Sequence, residues 1–537
     1  MDDRRGLTGA RALVRRFGWT PDLGSLAASA AGDVVWLDSA LPDGAPDAAR
    51  ERARWSVLAL TGGPFGAGFR HEDRRALLDV SPAAEAWFGP SRSVDAGAFA
   101  TLGDLLARTP ACTAPIAGCG FALGWVGFLG YELGRETDGP DRTAGQHADA
   151  DLRFVDRAVV VDADGGAWAL ALVVDTDTDT GADAEAGTDT DGAAGAASTA
   201  NRAWLDEVTT RPAAAVDAGA TTGLPAGAVT GVPGVTGGAG AATGLPTGVA
   251  TGRVSRAAYE TAVETCRAEI REGNAFQVCL TTAFAVGLEA RVGPATDPHL
   301  DEYLRLRAVD PVPFGAYLRL GPLRVASRSP ERFLRIDAGG RVLAEPIKGT
   351  RRRDPDPGRD AVVRADLATS GKDRAENVMI VDLLRNDLLR SAVPGSVHVE
   401  RLCAVETYAS VHQLVSTVSA QLPPGASRAE AVRAAFPPGS MTGAPKRSAT
   451  AIADRLEGAP RGVYSGAVGY FSTDGTVDLS VVIRTLVTVL DDEGAVRSRS
   501  FGAGGAVTWS SVAADEADEV ETKTRSVFGG LGVVGRW

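Results

Sequence analysis

The sequence predicts an α+β fold, because strand-like apolar runs with glycine-rich turns lie in both halves of the chain and segments of helical spacing stand between the later ones. A third observation divides it: an Asp-Thr alternation from residue 175, then Ala/Gly/Thr/Pro text to residue 252 in which Thr-Gly-Leu-Pro recurs. In chain order, Asp33 to Asp38, Trp55 to Leu60, Gly124 to Tyr131 and Phe154 to Val161 read as strands of an N-terminal region, residues 1–173. Residues 174–253 lack the apolar side chains that offset ordering entropy and predict a flexible insertion or linker. Ser255 then supplies an N-cap for an amphipathic helix through Glu272, with Gly273 and Asn274 as its stop. Phe276 to Phe284, Phe314 to Leu320, Ala467 to Phe471 and Val481 to Leu490 have strand character, and Asp373 to Leu389 and Ser427 to Phe436 have helical spacing. These belong to a third region, residues 254–537.

Composition excludes several classes of function. The formal charge of −13 speaks against a nucleic-acid or anionic-membrane surface, and much of it is local, carried by acidic residues between Asp175 and Asp191. Five scattered cysteines without ligand-like spacing predict neither a disulfide framework nor a zinc site. No run approaches the roughly 20 apolar residues of a membrane span, and no leader-like apolar run follows the first residues. A cytoplasmic protein is expected.

The motifs lie after residue 254. They are Ser329-Pro330-Glu331-Arg332-Phe333; Pro346-Ile347-Lys348-Gly349-Thr350; Lys372 to Asn377 running into Asp382 to Asp387; His412 to Ser416; Met441 to Lys446; Arg461 to Gly466; Ile483-Arg484-Thr485; Gly502 to Gly505; and Glu519 to Lys523. Together, in this order, they resemble the chorismate-utilising enzymes, the family of anthranilate, aminodeoxychorismate, isochorismate and salicylate synthases. Trp36-Leu37-Asp38-Ser39 and Gly124 to Tyr131 resemble the N-terminal segments of the anthranilate and aminodeoxychorismate members. The resemblance implies antiparallel sheets forming a β-sandwich core flanked by helices. It also raises tryptophan as a ligand of the N-terminal region.

Chorismate is a dianion, so its site must neutralise two carboxylates and help a hydroxyl leave. Glu376, Glu516 and Glu519 supply carboxylates from two distant points, which suits Mg²⁺, a hard cation that keeps waters and substrate oxygens. The resemblance implies that Glu376 and Glu519 are the ligands, with Glu516 behind them. It implies that Arg484 and Tyr464 hold the enolpyruvyl carboxylate, as a guanidinium fork and a phenol can. Gly502, Gly504 and Gly505 permit close approach of backbone N–H groups to an anion, and Thr442 and Gly443 invite the same reading. Lys523, one helical turn after Glu519, counters substrate charge. By the same resemblance His412 stands beside the ring and Glu331 is the general acid/base for loss of the ring hydroxyl.

Two positions choose a branch. Where water-adding members carry a lysine, this chain has Gln277, and where anthranilate synthases have alanine, it has Lys348. A lysine driven toward its neutral form by a desolvated pocket is a nucleophile. The resemblance therefore implies amination of chorismate at C4 through a covalent Lys348 intermediate, with ammonia from a separate glutamine amidotransferase subunit. Gly118-Cys119-Gly120-Phe121 lacks a nucleophile-elbow pattern and reads as a packed turn. The alternatives are the first component of an anthranilate synthase and an inactive ligand-sensing relic.

Overall fold

The computed structural model describes residues 9–41, 47–137, 139, 145, 147–175, 189–210, 248–288, 297–408 and 411–537. Two large sheets, one of 13 strands and one of 12, are built almost entirely from antiparallel pairs. In the first, Val34–Asp38 lies between Trp55–Leu60 and Phe314–Leu320, and the order continues through Leu323–Ser329, Thr485–Leu490, Val496–Thr508 and Gln277–Leu288. In the second, Ile347–Arg352, Val411–Gln421, Arg341–Ala344, Arg332–Ile336, Val477–Val481, Ala467–Ser472, Gly124–Leu129 and Ala150–Val155 are neighbours in that order. The expected α+β class is observed.

Side-chain alternation explains why the first sheet is apolar on both faces. Val35 and Leu318 enter a core shared with the second sheet, where Trp125, Phe128 and Leu334 meet them. Their neighbours Trp36 and Tyr317 point the other way, into a second core with Tyr259, Leu306 and Phe528 from the flanking helices Arg256–Arg271, Pro298–Val309 and Ala513–Leu531. Each such fully buried apolar side chain contributes about 1.5–3 kcal/mol. The expected cap is observed, with Ser255 Oγ accepting from the Ala258 N–H at 3.3 Å, and the Arg428–Ala435 helix starts in the same way, with Ser427 Oγ accepting from the Glu430 N–H at 3.3 Å.

Four differences from the sequence reading emerge. The N-terminal and C-terminal regions share both sheets, since Trp36 pairs with Tyr317 in one and Gly127 with Gly469 in the other. Within residues 174–253, Asp189–Thr210 is a helix packed on the Ala167–Val174 strand, with Ala194, Ala197 and Leu205 buried. Small residues let its axis come close, and Asn201 donates to the Leu172 carbonyl at 2.6 Å and to Asp156 at 3.0 Å. Residues 176–188 and 211–247 of that expected linker lie outside the described residues.

The other two differences concern runs read as single strands. Phe154 to Val161 is divided at Asp156 between Ala150–Val155 in the second sheet and Arg157–Asp162 in the first. Val481 to Leu490 is divided at residues 482–484, again between the sheets. An apolar run does not reveal where a chain passes between two sheets that face one core. Leu323–Ser329 and Arg332–Ile336 make a third crossing, through Pro330 and Glu331. The crossings at Glu331 and Arg484 lie side by side.

Candidate active site

Backbone hydrogen bonds tie these crossings together. The Val481 N–H donates to the Glu331 carbonyl at 3.0 Å, the Arg328 N–H to the Arg484 carbonyl at 3.3 Å, and the Ser465 N–H to the Val482 carbonyl at 2.8 Å. Arg484 has φ of 52°, a left-handed conformation that costs a non-glycine residue about 1–3 kcal/mol and is held by its neighbours. Glu331 is 7% exposed. Burial pushes its carboxyl above the ordinary range, although Lys348, a Ser440 hydrogen bond, Arg484 and Lys523 all draw it down.

Lys348 comes from the edge strand Ile347–Arg352, whose pairing with Val411–Gln421 slips between Ile347 and Thr350. Gly349 makes the irregularity possible: its φ is 82°, and a Cβ there would lie 2.9 Å from the Asp373 side chain. The half-buried Lys348 ammonium is thereby close enough for Glu331, Glu376 and Glu519 all to feel its charge. This one cation stands among the expected acid and the expected metal ligands.

Two helices bring the carboxylates. Glu376 lies on Gly371–Leu389, and Glu516, Glu519 and Lys523 on Ala513–Leu531. Lys372 Nζ is 4.0 Å from both Glu376 Oε1 and Glu516 Oε1. Burial pushes Glu376 and Glu516 upward and the neighbouring acids add to it, against Lys348 and Lys372 at Glu376 and the Ser511 hydrogen bond, Lys372 and Lys523 at Glu516. Burial also works on Glu519, but the Lys523 ammonium 2.6 Å away outweighs it and holds that carboxyl low. Glu516 Oε1 accepts from Ser511 at 2.7 Å, whereas the buried Oε2 has no hydrogen-bond partner among the described residues. A Cβ at Gly505 would sit 2.6 Å from that oxygen, so the glycine leaves it room.

This donor set fits Mg²⁺: clustered, mutually repelling carboxylates and an orphaned buried oxygen gain from a hard cation. Among the described residues no three His, Cys, Asp or Glu side chains are grouped to hold a metal by themselves. Two carboxylates with water and substrate completing the shell is a usual Mg²⁺ arrangement.

Gln277 is 0% exposed, and neither its Oε1 nor its Nε2 has a hydrogen-bond partner among the described residues. Leaving such groups unpaired costs about 1–3 kcal/mol each, a cost that a polar ligand relieves. Gly443, with φ of 118°, passes so close to the Gln277 carbonyl that a Cβ would lie 2.2 Å from it. The Thr442 hydroxyl turns to the Gly439 and Gly443 carbonyls at 3.2 and 3.4 Å, so these two residues shape the backbone beside Gln277. The Tyr464 ring packs on Gly502, whose Cβ would be 2.3 Å from the ring, and burial raises the phenol so that it stays protonated. The Gly504 carbonyl accepts from Lys523 Nζ at 2.7 Å. The glycines thus first make room for Tyr464 and Glu516.

The structure does not bring His412 into this group as a free base. Its ring is 1% exposed, Nδ1 is 2.9 Å from Thr407 Oγ1, and Nε2 is 3.0 Å from Asp360, which Arg353 also holds at 2.8 Å. With both nitrogens engaged, the ring braces the Val411–Gln421 strand. Trp36 also lies apart, edge-on to Tyr303 in the outer core, while Leu37, Asp38 and Ser39 line a cavity of about 350 Å³ with Arg52, Phe314 and Tyr470. Cys119 is buried, and burial pushes its thiol up to about 11. All five cysteines are free and buried. No helix among the described residues is long and apolar enough to cross a membrane.

Sequence reasoning left three contributors without a role. Ser440 bonds Glu331, Lys372 stands between Glu376 and Glu516, and Lys446 donates to Asp387 at 2.8 Å and to the Ala435 carbonyl at 2.7 Å, anchoring one motif to another. Lys372 and Lys446 stand inside quoted motifs, but only the fold shows which carboxylate each one meets.

Comparison with known proteins follows this geometry. A family model described as chorismate binding enzyme matches residues 74–529. The chain is 42% identical over 490 residues to an aminodeoxychorismate synthase of Streptomyces griseus, covering 91% of this chain and 59% of that one. It is 43% identical over 233 residues to aminodeoxychorismate synthase component 1 of Klebsiella aerogenes, covering 43% of this chain and 50% of the relative. The chain therefore spans less than two thirds of each relative's length. Anthranilate synthase component I of Streptococcus pneumoniae superposes with a TM-score of 0.64 at 24% identity, over 88% of this chain and 92% of that one, a likeness of fold.

Proposed function

The chain belongs to the chorismate-binding enzymes, and from that premise we propose that it aminates chorismate at C4 to give 4-amino-4-deoxychorismate. The observation that carries this reading is Lys348, a half-buried amine whose charge acts on Glu331, Glu376 and Glu519 together. Gln277 supports it, since an amide does not activate water as a lysine base does. The relatives named for aminodeoxychorismate synthesis support it from outside the site.

In the proposed reaction Lys348 first gives its ammonium proton to solvent, and the amine then forms a C–N bond at C2 of chorismate. Both conjugated ring double bonds shift toward C4, the C4–O bond breaks, and the hydroxyl leaves as water with the proton of Glu331. Ammonia then forms a bond to C4, both double bonds return, and the C2–N bond breaks with its electron pair restored to Lys348. The new ammonium gives its proton to the Glu331 carboxylate, which resets the acid. Chorismate and ammonia become product and water, and the enolpyruvyl group is kept. Arg484 and Tyr464 orient the enolpyruvyl carboxylate, and Gln277 meets the ring's polar edge. Glu376 and Glu519, with Glu516 behind them, would hold Mg²⁺, which would supply charge neutralisation for the dianionic substrate.

The ammonia is assigned to a glutamine amidotransferase subunit, in keeping with a relative that is named as one component. The product belongs to para-aminobenzoate and folate chemistry or to a specialised metabolite. The Leu37–Ser39 cavity is assigned to an amino acid such as tryptophan, on the ground of its size and its polar and aromatic lining.

The test is Lys348→Ala assayed with chorismate, Mg²⁺ and free ammonia, with products weighed by mass spectrometry. Amination at C4 is expected to fall on the order of a hundredfold or more, the scale at which removal of a reacting group reads. Unchanged turnover removes Lys348 from the chemistry, and anthranilate as the wild-type product overturns the reading.

A further inference from the structure

Glu345 lies outside the site described above, three residues before Lys348 in the chain. Its carboxylate accepts from two buried arginines, Arg332 Nη1 at 2.7 Å and Arg52 Nη1 at 2.8 Å. Arg332 directly follows Glu331. The strands Arg332–Ile336 and Arg341–Ala344 form a hairpin in which Arg335 pairs with Leu343 and Ile336 with Val342. Arg332 and Glu345 thus meet at the open end of the hairpin, and Glu331 and Lys348 stand just beyond it on the two diverging chains.

The arginines are themselves anchored. Arg332 donates through Nε and Nη2 to Asp478 at 2.9 and 3.1 Å, fixing the guanidinium by a two-point contact with the neighbouring strand. Arg52, from the N-terminal region, also pairs with Glu406 and donates to Tyr408 Oη at 2.8 Å. Glu345 is therefore the one carboxylate on the Lys348 segment that is tied both to the Glu331 segment and to the N-terminal region. Charge-assisted bonds between buried side chains hold a fixed geometry better than exposed pairs do.

We propose that Glu345 is a positioning residue, which sets the distance between the Lys348 amine and the Glu331 carboxyl by clamping Arg332 and Arg52. This rests on the reading of Lys348 and Glu331 as nucleophile and acid. Bond formation at C2 and proton delivery at C4 must coincide on one substrate, and a misplacement of about 1 Å costs on the order of 100-fold in rate. Removing the clamp therefore lowers turnover while leaving chorismate binding, which depends on Arg484, Tyr464 and the carboxylates, in place. After the change Arg332 keeps Asp478 and Arg52 keeps Glu406, so neither guanidinium is left without a carboxylate.

The experiment uses the full chain with free ammonia and Mg²⁺. Glu345→Gln is expected to lower kcat about 10- to 100-fold with KM for chorismate within about twofold, and Glu345→Asp to recover part of kcat. Arg52→Gln, which leaves the Arg332 arm whole, is expected to lower kcat by a smaller factor at unchanged KM, and reads the clamp should Glu345→Gln not fold. Wild-type kcat in both Gln variants overturns the proposal, as does a parallel loss of kcat and chorismate affinity with no rescue by Asp. Lys348→Ala run alongside separates the two failures. If that variant turns over normally the reading of the site falls, and if it is inactive while Glu345→Gln is normal only the clamp falls.

Discussion

Glu331, Glu376 and Glu516 are all held above their ordinary carboxyl range, in each case by burial first. A raised folded value means the folded chain holds its proton more tightly than the unfolded chain does. Stability is then lost as pH rises from the ordinary glutamate value of 4.5 through the raised values. Glu519, held low by Lys523, works in the opposite sense and loses its contribution as pH falls. Glu331→Gln keeps the shape and removes the titration. Without Mg²⁺, it is expected to raise the unfolding temperature at pH 8 on the order of 1–2 °C and to make no difference at pH 4. Turnover should fall about 10²- to 10⁴-fold because the proton donor is gone. Thermal unfolding at the two pH values checks the first part, and a variant that tracks the wild type throughout would refute the assignment of that burial cost to Glu331.

At the scale of the element, the irregular strand Ile347–Arg352 decides where the amine lies. Gly349→Ala combines a left-handed φ of 82° with a Cβ 2.9 Å from Asp373, whose carboxylate also holds Arg351 at 2.8 Å. The left-handed conformation alone costs about 1–2 kcal/mol. The strand is expected to shift locally, lowering kcat about tenfold or more with only a small change in unfolding temperature. Steady-state rates with ammonia beside a melting curve measure this, and a wild-type kcat would show that the bulge does not govern Lys348. Elements differed in how far they were legible. The cap at Ser255 was readable because a hydroxyl three residues ahead of an N–H is a local signal. The crossings at Asp156 and Arg484 were not, because both sheets bury apolar side chains and a polar pair within an apolar run does not by itself mark a change of sheet. The helix Asp189–Thr210 was hidden by its composition: besides Leu205 its contacts are made by alanines, Ser198 and Asn201, which read as linker text until the Ala167–Val174 strand is beside them.

For the whole molecule, the two sheets are each assembled from both ends of the chain. Val34–Asp38 completes the first sheet against Phe314–Leu320, and Gly124–Leu129 completes the second against Ala467–Ser472. Residues 254–537 expressed alone would expose both edges and the inter-sheet core that Trp125 and Phe128 fill. They are expected to aggregate or to unfold without cooperativity, and coexpression with residues 1–173 is expected to restore soluble, chorismate-binding protein. Cooperative unfolding of the isolated C-terminal part would show that it folds by itself. The sequence alone determined which residues are candidates for the chemistry, since Lys348, Gln277, Glu331, Glu376 and Glu519 are recognisable by their neighbours in the chain. Their arrangement was decided only by tertiary structure. The same holds for the two engaged nitrogens of His412 and the clamp on Glu345, because each depends on contacts between segments far apart in sequence. Those contacts form when two sheets close on one core, and local spacing carries no record of that closure.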